Sequence, residues 1–269
     1  MKLDVVSFRS PNKSKIEDAY AINSNYKVMA VFDGVTPLPT APPPDSNGDN
    51  GARKASRLFK AHFELDLVSI DLVAELTTAN EQLRQLMLAE KIDLTHKQHL
   101  YSTCAAVVCI EQQLLRYAQL GDCMILTLNR QDEVRVLTRN QVKGINQRAV
   151  EKRERDRNQG LSVAEETFYA DSIETASYCR HMANTPEGYG VANGQPEMTA
   201  YIESGEIPLT GIKAVLLITD GLFHPDLELE DVIRRVERRG LAAYADELDQ
   251  LEAERGLHRD DRTGIFIRF

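Results

Sequence analysis

The longest apolar runs in this 269-residue chain are strand-sized, at residues 28–32, 105–110 and 214–218. A helix that crosses a bilayer needs roughly 20 consecutive apolar residues, so none of these runs is a membrane span. They set the expectation of a soluble β-framework, to which the rest of the chain must be fitted.

Around them, residues 2–8 are expected to form an edge or first strand. Residues 20–23 and 27–32 read as two strands joined by the polar turn Asn23-Ser24-Asn25, the second ending at Asp33-Gly34. Residues 36–50 hold five of the ten prolines and read as a loop. Apolar residues then recur at helical spacing over 52–65 (Ala55, Leu58, Phe59, Phe63) and 71–91 (Leu72, Leu76, Leu83, Leu86, Met87). Strands are expected again at 102–111, 114–120, 124–128 and 134–137, and their short connections predict antiparallel neighbours.

The charge run at 151–157 reads as a solvated helix face, and the spacing predicts an amphipathic helix over 161–182. Further strands are expected at 198–203 and 213–219, helices at 227–239 and 241–255, and a last strand at 264–269. Strand runs alternating with helix pairs suggest an α+β layered fold. The length suits one large domain, 1–269, without internal repeats.

Charge and cysteine content narrow the function. The formal net charge of −9 disfavours nucleic acid or an anionic membrane as partner, so any bound phosphate needs local positive charge. The N-terminus carries no signal-peptide pattern. The four cysteines, Cys104, Cys109, Cys123 and Cys179, have neither CxxC nor zinc-like spacing, which suits reduced, buried thiols in a cytoplasmic protein. His96 and His99 lack the further ligand that a metal site would need.

Acidic residues stand beside the strand ends. Glu17-Asp18 precedes 20–23, Asp33 follows Val28-Met29-Ala30-Val31-Phe32, Asp122 follows 114–120, Asp220 follows 214–219, and Asp260-Asp261 precedes the last strand. Each alone is an ordinary turn or surface pair. Gathered at one end of a sheet, carboxylates would repel one another unless a cation neutralised them, and all-oxygen ligands favour Mg²⁺ or Mn²⁺.

In order along the chain stand Glu17-Asp18-Ala19-Tyr20, Val31-Phe32-Asp33-Gly34, Ser102-Thr103-Cys104-Ala105, Leu120-Gly121-Asp122-Cys123, Leu216-Leu217-Ile218-Thr219-Asp220-Gly221-Leu222-Phe223 and Asp260-Asp261-Arg262-Thr263. This series resembles the type 2C (PPM) metal-dependent serine/threonine protein phosphatases of the bacterial, single-domain type. The resemblance implies a four-layer α-β-β-α sandwich, two antiparallel sheets flanked by antiparallel helix pairs, with a flap inserted at about 140–196. It implies that Asp33 bridges two ions, with Glu17 and the Gly34 carbonyl on one and Asp220 and Asp260 on the other. Asp18 would orient water, and Asp122 matches a position linked to a third, weaker ion. The implied substrate is a phosphorylated protein, attacked by a water that two divalent ions activate.

Three positions depart from the family pattern. Lys13 stands where relatives often carry a phosphate-gripping arginine, with Arg9 and Lys15 nearby, and lysine offers a point charge rather than a fork. Val35 replaces a histidine found in some members, and His224 an aspartate that would serve the third ion. Within the flap, Arg180, Asn184, Gly188 and Tyr189 are expected beside the substrate groove, and the proline-rich loop is expected to shape access to it. Two other readings stay open: a non-catalytic binding module on the same fold, and a phosphatase of small metabolites.

Overall fold

The computed structural model describes residues 1–25, 27–66 and 71–269. Among them are two five-stranded sheets, antiparallel throughout. The first has the order β1 (Lys2–Phe8), β10 (Arg262–Arg268), β9 (Ile212–Ile218), β6 (Met124–Asn129), β7 (Val134–Val136). The second has the order β2 (Ala19–Ile22), β3 (Val28–Gly34), β4 (Thr103–Glu111), β5 (Leu114–Leu120), β8 (Glu203–Pro208).

Strand periodicity explains the layering. On β3, Met29 and Val31 point one way and meet Ile125, Leu217 and Ile265 of the other sheet. Ala30 and Phe32 point the other way, into Phe59, Phe63, Leu76 and Leu83. Those four belong to helices α1 (Gly51–Phe63) and α2 (Leu72–Ala89). On the far side, Leu216 and Phe266 pack under Val232, Val236, Tyr244 and Leu248 of α5 (Leu229–Arg239) and α6 (Leu241–Arg255). A strand buried on both faces reads as a continuous apolar run, which is why 28–32 and 214–218 show no alternation. The result is the expected α-β-β-α sandwich. Each fully buried Phe contributes roughly 1.5–3 kcal/mol.

Helix starts follow local chemistry. The Asn50 side chain accepts from the Arg53 amide at the head of α1, and that of Asp71 from the Val73 and Ala74 amides at the head of α2. Among the described residues, no helix is long and apolar enough to cross a membrane.

Three local expectations need correction. The short turn between 114–120 and 124–128 does not make antiparallel neighbours: β5 and β6 lie in different sheets, and Gly121-Asp122 carries the chain across. The helix expected over 161–182 is only α4 (Ser172–His181), because Asp171 caps its first amides and so fixes its start. The preceding residues are held instead by Glu166, whose carboxylate binds Arg153 and Arg157. The strand expected at 198–203 is a 3₁₀ turn, Pro196–Tyr201, opened by its proline; pairing with β5 begins at Glu203. The charge run at 151–157 lies on α3 (Ile145–Asn158), which packs on α4 through Ala149, Cys179 and Met182.

Candidate metal and phosphate site

The acidic residues come together because both sheets present the same kind of end to one cavity of about 470 Å³. Asp33 is the penultimate residue of β3, Asp122 lies in the crossing turn after β5, Asp220 follows β9, and Asp260 precedes β10. All four line the cavity. Close backbone approach makes this convergence possible. A Cβ on Gly34 would stand 2.5 Å from the Glu17 carbonyl oxygen and 2.7 Å from that of Ala52. One on Gly221 would stand 1.8 Å from the Asp261 carbonyl oxygen, so only glycine lets the Asp220 turn pack on the start of β10.

The carboxylates fall into two electrostatic groups. Burial first, and then the charge of Asp220, hold Asp33 well above the usual carboxylate range. Burial and the same neighbour push Asp122 up to about 7. Asp220 is raised by burial and by the charge of Asp260, and Asp18 by burial and the charge of Asp261. This is a set of recessed, hard oxygen donors whose mutual repulsion raises the cost of ionising them.

Glu17 and Asp260 form the other group, and Lys13 serves both. Its Nζ lies 2.6 Å from Asp260 Oδ1, 2.8 Å from Glu17 Oε2 and 3.4 Å from Asp261 Oδ2. Burial opposes ionisation of Asp260, but the Lys13 ammonium outweighs it and holds this carboxyl below its ordinary value. Burial likewise opposes the ammonium, and its bonds to Asp260 and Glu17 overcome that and raise Lys13. Glu17 is engaged further: Asn50 Nδ2 donates to Oε1 at 2.5 Å and Thr36 Oγ1 to Oε2 at 2.6 Å.

Among the described residues, no three His, Cys, Asp or Glu side chains are already arranged around a single metal position. The donor chemistry of Asp33, Asp122 and Asp220 nonetheless fits a hard divalent cation, which would offset the repulsion among them.

The other expected residues divide. Arg180 and Tyr189 line the cavity, the former held by a hydrogen bond from Nη2 to the Thr36 carbonyl at 2.8 Å. Val142, Ile145 and Ala176 form an apolar wall beside them. Asn184 is buried in bonds to Val191 and Asn193, and Gly188 borders a separate groove. His224 lines another cavity, with Arg235 and Tyr244. Lys15 is paired with Asp49 at 2.7 Å, and Arg9 donates to the Lys13 carbonyl. Of the loop at 36–50, Thr36 and Asn50 reach Glu17 from its first and last positions, and Thr36 also lines the cavity. The thiols are free and buried, and Cys104 and Cys179 line the cavity.

Sequence reasoning gave no role to Thr219, Asn50 or Asp261. Thr219 Oγ1 donates to Asp18 Oδ2 at 2.9 Å. Asp261 accepts from the amides of Ser10 and Glu17, each at 2.7 Å, and so ties the 10–17 loop to β10. Adjacency to Asp220 and Asp260 was the signal available for Thr219 and Asp261; nothing marked Asn50.

A family model described as "Protein phosphatase 2C" matches residues 9–259. No curated protein sequence matches the chain significantly. Among solved structures, a bacterial serine phosphatase superposes with a TM-score of 0.61 at 16% identity, over 99% of this chain and 96% of that one. The serine/threonine phosphatase Stp1 from Staphylococcus aureus gives a TM-score of 0.60 at 15% identity, over 100% and 94%. The catalytic domain of the serine threonine protein phosphatase PstP, in complex with two manganese ions, gives 0.60 at 18% identity, over 98% and 96%. At such identities the likeness concerns the fold.

Proposed function

The chain belongs to the protein phosphatase 2C family, and from that premise we propose that it hydrolyses phosphoserine and phosphothreonine in proteins with divalent metal ions. The convergence of Asp33, Asp122 and Asp220 on one recessed cavity, each raised by burial and by its neighbours' charge, carries this reading.

Glu17, Asp33, the Gly34 carbonyl, Asp220 and Asp260 would hold two Mg²⁺ or Mn²⁺ ions, with a third at Asp122; ions there lower the pKa of water and offset phosphoryl charge. The protein's own groups set the direction of attack. Asp18, fixed by Thr219, accepts a hydrogen bond from the attacking water and aims it at phosphorus. Arg180 brings a guanidinium to the cavity wall, and its N–H groups beyond the one on Thr36 serve phosphate oxygens. Lys13 is the other local cation, and a phosphate must share it with Glu17 and Asp260. The wall of Val142, Ile145 and Ala176 excludes water and takes the side chains that flank the phosphoresidue. Val35 follows Gly34 and offers no proton, so the leaving oxygen takes one from solvent.

The test is phosphate release from a phosphothreonine peptide with Mn²⁺ and with chelator, for wild type and Asp33→Asn. Metal-dependent release that Asp33→Asn abolishes supports the proposal. Release from small phosphorylated metabolites but not from peptides would move the substrate class. One observation favours a second reading, a non-catalytic module on the same fold: Lys13 already neutralises two of the ligand carboxylates. Absence of turnover by folded, Mn²⁺-bound protein would select it.

A further inference from the structure

We propose that the outer face of α1, together with Lys15, is a docking surface for an acidic segment of the phosphoprotein substrate. The proposal deepens the phosphatase reading and rests on it for the identity of the partner.

In a chain of net charge −9, α1 is the one α-helix among the described residues that carries no acidic residue. Its Arg53, Arg57 and Lys60 recur four and three residues apart and so share one face. Lys54 leaves that face for Glu90 and Asp45. The stripe does not serve the helix itself. Arg53 stands in the first turn, where the helix dipole favours anions, and Arg53 and Arg57 are like charges one turn apart.

The cations are held in place. Arg53 Nη1 donates to the Ile16 carbonyl and its Nε to Asp49, each at 2.7 Å, and Lys15 shares that Asp49 at 2.7 Å. Lys60 Nζ donates to the Tyr20 carbonyl at 2.9 Å and pairs with Glu64 at 2.6 Å. Arg57, between them on the helix, is exposed, and among the described residues its side chain forms no ion pair or hydrogen bond. Four cations thus meet two carboxylates, Asp49 and Glu64, which leaves a local excess of positive charge.

The stripe begins beside the candidate site. Lys15 precedes Glu17 by two residues, Ile16 links Arg53 to the residue before it, and Asn50 at the head of α1 donates to Glu17 itself. From Arg53 to Lys60 the helix rises roughly 10 Å, which an extended peptide spans in about three to four residues. A short acidic run near the phosphoresidue therefore matches the stripe in both length and sign. Nucleic acid and anionic membrane are also negative, but their larger footprint meets the repulsion of a −9 surface.

Labelled phosphothreonine peptides that carry a run of four Glu or four Gln, on one side of the phosphoresidue or the other, test this. Binding is read by fluorescence anisotropy in chelator, where nothing turns over, and phosphate release is read with Mn²⁺. Wild type is expected to bind one of the Glu peptides about tenfold more tightly than its Gln counterpart, with kcat/KM raised alike. The advantage should fade at high salt, which screens exposed charges. The double variant Arg57→Glu, Lys60→Glu should lose the preference while hydrolysing p-nitrophenyl phosphate as wild type does. Should circular dichroism show that variant misfolded, Arg57→Gln with Lys60→Gln is expected to reduce the preference severalfold. Arg234→Glu, on α5 in the opposite outer layer, should keep it. Equal binding of Glu and Gln peptides by wild type, or a preference that survives in the folded Arg57 and Lys60 variants, would overturn the inference. So would tighter binding of an oligonucleotide or of phosphatidylserine vesicles through the same two residues. An acidic peptide that docks through them without phosphate release would sustain the surface and sink the phosphatase reading alone.

Discussion

The hydroxyl of Thr219 donates to Oδ2 of Asp18 over 2.9 Å, joining the end of β9 to the start of β2 across the seam between the two sheets. Asp18 is 2% exposed, so this bond is a main compensation for burying its carboxylate. The same hydroxyl accepts from the Thr263 amide at 3.0 Å, which adds β10 to the junction.

Removing that hydroxyl should cost more than a surface bond. Thr219→Val leaves a buried carboxylate and a buried amide short of a partner, with an expected loss of about 1–3 kcal/mol in urea unfolding. Thr219→Ser restores the donor and should recover most of it. If Asp18 aims the attacking water, kcat falls in Thr219→Val by more than KM changes. A valine variant as stable and active as wild type would remove Asp18 from this role.

Asp33→Asn should separate stability from metal binding. In chelator at neutral pH, the substitution removes one member of a mutually repelling set, so its melting temperature is expected at or above that of wild type. With Mn²⁺ the order reverses, because wild type gains binding free energy that the variant lacks. A variant that gains as much from Mn²⁺ as wild type does would place the ion elsewhere.

Arg180 should act on substrate rather than on metal. Its guanidinium is anchored to Thr36 and lines the cavity. Arg180→Ala is expected to raise KM for a phosphopeptide by roughly tenfold, as loss of a charge-assisted hydrogen bond implies. Mn²⁺ affinity should stay unchanged, and Arg180→Lys should recover only part of the loss, having no fork. An unaltered KM would exclude contact with the phosphate.

The segment between β7 and β8 should show its own acid sensitivity. Arg153, 2% exposed, lies 4.0 Å from the Tyr169 ring centre and pairs with Glu166 at 2.7 and 2.9 Å. The Arg153 hydrogen bond, followed by that of Arg157, pulls Glu166 down to about 2 from a usual 4.5. A depressed carboxyl contributes stability that is complete above its unfolded pKa and is lost as pH falls through its folded one. Hydrogen exchange in α3 and α4 should therefore quicken as pH drops from about 4.5 towards 2, after correction for intrinsic rates. Glu166 is 42% exposed, so screening limits the contribution to about 1 kcal/mol. Glu166→Gln should remove the pH-dependent part; the same acid profile in that variant would assign it to another group.

Much of the frame was legible because strand length and helical spacing are local properties. The bounds of β5 and α6 coincide with the runs at 114–120 and 241–255, and the carboxylates stand beside strand ends in the order that the family pattern carries. Local reading failed where a distant partner decides the outcome. A turn as short as Gly121-Asp122 looks like a hairpin corner, yet whether two strands pair or change sheets depends on which faces they must bury. The helical spacing over 161–182 was overridden by Asp171, which caps a later start, and by Arg153, which captures Glu166.

Only the tertiary structure decided which carboxylates share a cation. Lys13 and Glu17 are four residues apart, but Asp260 reaches the same ammonium from 247 residues away, and only the pairing of β1 with β10 brings it there. Coulomb energy depends on distance in space, so the charge balance of this site is a property of the fold.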